Sequence, residues 1–394
     1  MRTWHRLATG FTCALFMATC SASRSTEPAV STAQTAIDSA PTTLSSEPGQ
    51  PSPHSAVAAP DCPDNCTLGQ LATQKGVRIG AAVNSDLLKN NPAYAEAVST
   101  YFNAVTPENV MKWTIIHPAW DQWNWTAADD LVNFAEANNM SVKGTTLVWG
   151  QEFGNGLPDW MRDITDPEDF KQAMIDSITT QVTHFKGRVS GWDVVNEPLR
   201  YNGPELDQNV FLQRLGIDYI ALAFRTAHAA DPDAKLWLNE AFTEYYPARA
   251  DAVVALAKSL VDAGVPITGV GLQTHLIINT EIPAGSVDSL VLRLQDLGLE
   301  VGLSEVDVPL SPQRTETDQV ALYTQVIGEC LNLGCNDITV WGVSDGDTWL
   351  DDKGIRGSNV FLRPFSNPSN PLLLDRSYKP KPAYFAVLAL LKNR

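Results

Sequence analysis

The sequence predicts an α/β fold of the (β/α)8 TIM-barrel class, and three observations lead there. Short apolar segments of strand character alternate with amphipathic segments of helical period. Eight such strands fit into about 320 residues, as an eight-fold parallel barrel with some long loops requires. Two of the strands end in a glutamate, and in such barrels the C-terminal strand ends carry the chemistry. A doubly wound open sheet also alternates. Its nucleotide-binding forms, however, show a glycine-rich phosphate turn after an early strand, and none is present.

The expected strands are Val77–Ala82, Ala104–Thr106, Val142–Val148, Val189–Asn196, Lys235–Asn239, Gly269–Thr274, Glu300–Glu305 and Ile338–Trp341. Between them, helical periodicity marks Ala127–Asn139, Phe170–Phe185, Val210–Ala229 and Asp251–Ala263. A last helix, Pro382–Leu391, closes the chain. Asp166-Pro167-Glu168 reads as a helix start, with a capping side chain, a proline and then an acid.

The chain ahead of the barrel has a different character. Arg2 and Arg6 precede an apolar run, Leu7 to Cys20, that is too short to span a membrane, so residues 1–22 read as an export signal. Met17-Ala18-Thr19-Cys20 loosely resembles a lipoprotein cleavage box with Cys20 as a lipid anchor; the alternative is ordinary cleavage after Ala22. Residues 23–61 are rich in Ser, Thr, Ala and Pro and too poor in apolar side chains to fold, which makes them a linker. Residues 62–394 form the expected catalytic barrel. The destination is secretion, or attachment to the cell envelope if Cys20 is lipidated.

Of six cysteines, two lie in the leader. Cys62 with Cys66 and Cys330 with Cys335 are spaced for two local disulfides in an exported protein. Neither pair has the histidines nearby in sequence that a zinc site would draw on, and no metal or cofactor is expected. With 45 acidic and 28 basic residues, the formal charge of −17 argues against nucleic acid and anionic membranes as partners. No protein partner is implied.

Glu197 follows Gly191-Trp192-Asp193-Val194-Val195-Asn196, and Pro198 stops strand pairing just beyond it. Glu305 lies in Leu299–Asp307, where alternation puts Val301, Leu303, Glu305 and Asp307 on one face. Each Glu, read alone, is an ordinary solvated loop acid. A charge at the end of an apolar strand is costly unless it is used, which favours a paired role. Hydrolysis of a glycosidic bond needs such a pair, one acid to protonate the leaving oxygen and one carboxylate to attack the sugar. In the next expected strand, Gln273 and His275 share a face and both point at Glu305; His275 would keep Glu305 ionised and Asp307 would orient the imidazole. The bland alternative is a core histidine bonded to backbone. Many indoles fall at or past strand ends, among them Trp113, Trp149, Trp341 and Trp349, and flat rings suit sugar faces, whereas Trp237 within a strand reads as core.

Gly342-Val343-Ser344-Asp345-Gly346 matches a nucleophile elbow, but no convincing helix follows it and no histidine occurs after His275. The serine reading fails.

Together these segments resemble glycoside hydrolase family 10. The resemblance rests on Thr106–Trp113, Trp192–Glu197, Gly271–Leu276, Ser304–Asp307, Trp341–Asp345 and the tail Pro371–Tyr384, in that order. It implies a retaining endo-1,4-β-xylanase with Glu197 as general acid/base and Glu305 as nucleophile, their carboxyls about 5–5.5 Å apart. It also implies that Asn196 bonds the sugar 2-hydroxyl and that His275 supports Glu305 with Gln273 nearby. By the same resemblance Glu108, Asn109 and Lys112 bind sugar on the non-reducing side, and Trp149, Trp341 and Trp349 wall the cleft. Departures cluster in the cleft. Thr145 and Gly150 stand where the family has histidines, Gln151 comes one place early, and Val110 replaces a glutamate. Asn239-Glu240-Ala241-Phe242 replaces Asn-Asp-Tyr-Asn. These leave two alternatives open, a different β-linked glycan or bulky glycoside as substrate, and a binding barrel without catalysis.

Overall fold

The computed structural model describes residues 65–151, 156–201 and 203–394. The leader, the linker, Cys20 and Cys62 lie outside the described residues. Eight parallel strands close on themselves: β1 (Arg78–Val83), β2 (Ala104–Pro107), β3 (Ser141–Trp149), β4 (Gly191–Asn196), β5 (Lys235–Glu240), β6 (Gly269–Leu272), β7 (Glu300–Val306) and β8 (Asp337–Val340). Each pairs with the next, and β8 returns to β1 through Ile79 opposite Ile338. All eight expected strands are present, with ends displaced by a residue or two.

The register does the work of assembly. Trp149 lies opposite Asn196, Asn196 opposite Asn239, and Glu240 opposite Leu272, so the C-terminal ends of β3 to β6 arrive at one level. Helices cover the outside. The helix Pro167–His184 starts as expected, its first turn capped by the Asp166 carboxylate, which accepts from the amides of Glu168 and Asp169 at 2.9 and 3.1 Å. The helix expected over Val210–Ala229 is instead two, Val210–Leu215 and Asp218–Ala230. Gly216 breaks it by adopting φ +66°, a left-handed conformation that terminates a helix at little cost only for glycine. At the far end Pro382–Lys392 packs beside Leu68–Gln74, and the Leu68 amide donates to the Tyr384 hydroxyl at 2.7 Å.

The barrel interior is not wholly apolar. Lys143 and Asp193, each about 3% exposed or less, form an ion pair at 2.8 Å. Thr145 donates its hydroxyl to the same carboxylate at 2.5 Å, and the Lys143 ammonium sits 4.8 Å from the centre of the Trp237 ring. Trp237 is core, as expected. Trp113 is core too, 1% exposed with its indole N–H on Gln181, and so is no cleft wall. Gly144 is required by packing, since a Cβ there would lie 2.3 Å from the Trp192 ring. The Cys330–Cys335 disulfide is formed, with a sulfur–sulfur distance of 2.07 Å.

Candidate active site

Glu197 stands one residue past β4 in a left-handed conformation, φ +50°, which is uncommon for a residue with a side chain. Its amide donates to the Asn239 carbonyl at 2.9 Å, tying the turn to β5. Its carboxyl is partly buried among neutral donors. Gln151 reaches one oxygen at 2.8 Å and the Trp149 indole the same oxygen at 3.1 Å, while Gln273 reaches the other at 3.0 Å. Burial pushes the Glu197 pKa up, the Gln273 bond opposes this, and the charge of Glu305 adds to the rise. A carboxyl held this way keeps its proton longer than a free one.

Glu305, on β7, has a different set of neighbours. Asn239 donates to one oxygen at 2.7 Å, and the other lies 3.1 Å from His275 Nε2. His275 Nδ1 is 2.9 Å from Asp307, which also accepts from the Trp349 indole at 2.8 Å. Burial alone would lower the His275 pKa, but Asp307 and Glu305 outweigh it and raise it to about 10. The imidazole is therefore a cation at neutral pH, with one N–H on each carboxylate.

The two glutamates belong to one network. Asn239 also donates to Asn196 at 2.8 Å, its own oxygen accepts from Ser304 at 2.5 Å, and Gln273 reaches Asn196 at 3.3 Å. Each amide is thereby held in one orientation.

The cleft around them has a volume of about 620 Å³. Glu108, Asn109, Lys112, Trp149, Asn196, Glu197, Gln273, His275, Glu305, Trp341 and Trp349 all line it. Asp307 does not; it is fully buried behind His275. Lys112 donates to Asn109 at 3.0 Å and lies 5.1 Å from the centre of the Trp149 ring. Its pKa is lowered by burial, against the pull of Glu305, Glu108 and Glu197.

One expectation is corrected. Gln273 does not point at Glu305 beside His275; it serves Glu197. β6 ends at Leu272 and Thr274 is left-handed at φ +60°, so the alternation that put residues 273 and 275 on one face no longer holds there. Sequence reasoning also gave no role to Asn239 and Gln151. Asn239 was findable, because it ends a strand next to the one carrying Asn196. Gln151, although displaced along the chain, still sets its amide on Glu197. Thr145 spends its hydroxyl on Asp193. The serine of the rejected elbow, Ser344, donates to Asp347 at 2.5 Å.

Two acids, one amid neutral donors and one beside a buried cation, can act as proton donor and as nucleophile on one bond. Comparison with known proteins agrees with this chemistry. Residues 67–390 match the model of Glycosyl hydrolase family 10. Among curated relatives, Endo-1,4-beta-xylanase 1 of Humicola insolens is 33% identical over 340 residues, covering 84% of this chain and 75% of that one. Endo-1,4-beta-xylanase 3 of Hypocrea jecorina is 34% identical over 333 residues, covering 83% and 86%. Among solved structures, xylanase 10B of Thermotoga petrophila in complex with xylobiose superposes with a TM-score of 0.76 at 34% identity, covering 84% of this chain and 98% of that one. The chain is a glycoside hydrolase and belongs to glycosyl hydrolase family 10.

Proposed function

We propose that this protein is a secreted, retaining endo-1,4-β-xylanase. The observation that carries the reading is the contrast between Glu197 among neutral donors and Glu305 against the His275 cation. In the first step Glu305 attacks the anomeric carbon, the bond to the leaving oxygen breaks, and Glu197 gives that oxygen its proton. A glycosyl ester on Glu305 results. In the second step Glu197 takes a proton from water, the water oxygen attacks the same carbon, and Glu305 departs. Two inversions return the original anomeric configuration. The Asn196 side chain is oriented by Asn239 and Gln273 to meet the 2-hydroxyl, where bonds strengthen as charge develops.

The named relatives, together with the cleft residues Glu108, Asn109 and Lys112, support xylan as the substrate. Export follows from the basic and apolar leader, with lipidation of Cys20 as the variant in which the linker tethers the barrel to an envelope. Labelled palmitate that fails to enter the protein in a bacterial host removes that variant.

The mature protein should be incubated with linear xylan and the products followed by chromatography and by anomer-resolved NMR. Internal cleavage with β products first is the expected result. Action on another β-glycan with none on xylan overturns the substrate. If neither wild type nor Glu305→Ala releases sugar and both hold xylan equally, the barrel is a binding protein.

A further inference from the structure

Glu197 is a left-handed residue with a side chain, at φ +50°, and such a residue keeps its place only where the chain on both sides is held. The near side is held by the backbone of β5, where the Asn239 carbonyl accepts from the Glu197 amide at 2.9 Å. Pro198 has no amide to offer. The next donor along the chain is the Leu199 amide, and it donates to the Glu240 side chain at 3.0 Å. Glu240 directly follows Asn239 in β5, so consecutive residues of one strand fasten the two sides of Glu197. One does so with its backbone, the other with its carboxyl.

That carboxyl is itself fixed. Glu240 is fully buried, and its second oxygen accepts from the Ala241 amide at 2.9 Å and from Arg249 at 2.6 Å. Arg249 is buried too and comes from the first turn of the helix Pro247–Asp262, beyond the loop that follows β5. Its guanidinium reaches two loops at once. On the β5 side it donates to the Ala241 carbonyl at 3.1 Å. On the β4 side it donates to the Gly203 carbonyl at 3.0 Å and to the carbonyl of Arg200.

Leu199, Arg200 and Gly203 belong to the excursion that starts at Glu197. It returns where Leu206 pairs with Leu199 and the Asp207 amide donates to the Pro198 carbonyl at 2.9 Å. Three backbone groups of the excursion therefore end on one buried pair. A planar fork of donors can serve so many acceptors, whereas an ammonium group can serve fewer. Stability does not account for the pair, since exchanging a buried pair for packed apolar side chains is often neutral or stabilising. Neither side chain lines the cleft that holds the two glutamates, so both act through the backbone. Glu305 lies within β7 and is placed by the sheet itself.

We propose that Arg249 and Glu240 are positioning residues for the acid/base: by fixing the backbone just beyond Glu197 they keep its carboxyl on the leaving oxygen. This rests on the assignment of Glu197 proposed above.

The test uses phenyl and dinitrophenyl β-xylobiosides, whose rings fill similar space but whose leaving groups differ in their need for a proton. For both, kcat/KM reports formation of the glycosyl ester. Arg249→Lys keeps the charge and loses the fork. It should lower kcat/KM on the phenyl substrate by about ten- to a hundredfold, the cost of a small misplacement. On the dinitrophenyl substrate the change should stay within about twofold, because the nucleophile is undisturbed. Should Arg249→Lys not fold, Glu240→Gln, of nearly the same shape, should give the same split. Equal losses on both substrates, or no loss on either, overturn the proposal and leave the pair a purely structural one. Glu197→Ala is measured beside them. If it also loses equally on both substrates, the assignment of Glu197 fails and the positioning role falls with it. If it alone gives the split, only the positioning role fails.

Discussion

Glu197 and Glu305 are the same residue type at the ends of two strands of one barrel, yet their surroundings are opposites. Around Glu197 every donor is neutral: an indole and the amides of Gln151, Gln273 and Asn196. Neutral donors stabilise the carboxylate only modestly, and burial wins, so its pKa is raised and its proton is held more tightly than on a free carboxyl. Around Glu305 the key donor is an imidazolium, kept charged by Asp307 behind it. A buried cation favours a bare carboxylate far more than an amide does, because the low-dielectric site strengthens the attraction. The difference teaches that acid and nucleophile are assigned by neighbours two residues or two strands away.

The largest effect should come from removing the nucleophile. Glu305→Ala should lower kcat on every glycoside by ~10⁴-fold or more, because no covalent intermediate can form. Steady-state kinetics on xylan and on an aryl xyloside check this together. Glu197→Ala should separate those two substrates. On xylan the loss should be about 10²–10⁴-fold. An aryl leaving group needs no proton, so the same variant should show a rapid burst of phenol followed by slow turnover. Equal losses on both substrates would mean that Glu197 is not the acid.

Erasing the contrast itself is a smaller change. His275→Gln keeps a donor beside Glu305 but removes its charge, and kcat should fall roughly 10²-fold. If the loss is that of a neutral hydrogen bond alone, the charge of His275 does not matter. The smallest effect is on stability. His275 is raised to about 10, and Glu240 and Glu244 are raised by burial to about 8 and about 7. All three hold protons more tightly folded than unfolded, so the folded chain binds more protons and stability falls as pH rises. The His275 contribution is complete below its ordinary value near 6.5 and is lost as pH climbs through about 10. The acids act earlier, from their ordinary carboxylate range up to about 7 and about 8. Thermal melts between pH 6 and pH 10 should show a falling Tm, with the part above pH 8 flattened in His275→Gln.

Much of the fold was legible in the chain because periodicity and caps are local. A run such as Val301 to Glu305 alternates, and Asp166-Pro167 starts a helix, whatever lies elsewhere. The carboxylates at strand ends were legible for the same reason. The Gly216 break was harder, since residues 210 to 230 keep an amphipathic pattern on both sides of a single left-handed glycine. Gln273 was misdirected because alternation was extended past the end of β6, where Thr274 turns the backbone.

By itself, the sequence determined the eight-fold alternation, the two glutamates at strand ends and the histidine at the end of the strand next to the one that leads to its aspartate. Those are properties of residue type and spacing. Which amide serves which carboxylate was decided only by the register that sets Asn196 opposite Asn239. That residue 150 must be glycine was decided by Asn209, whose side chain lies where a Cβ there would stand. Contacts between strands and loops distant in the chain depend on how the barrel closes, and no local pattern of side chains encodes that.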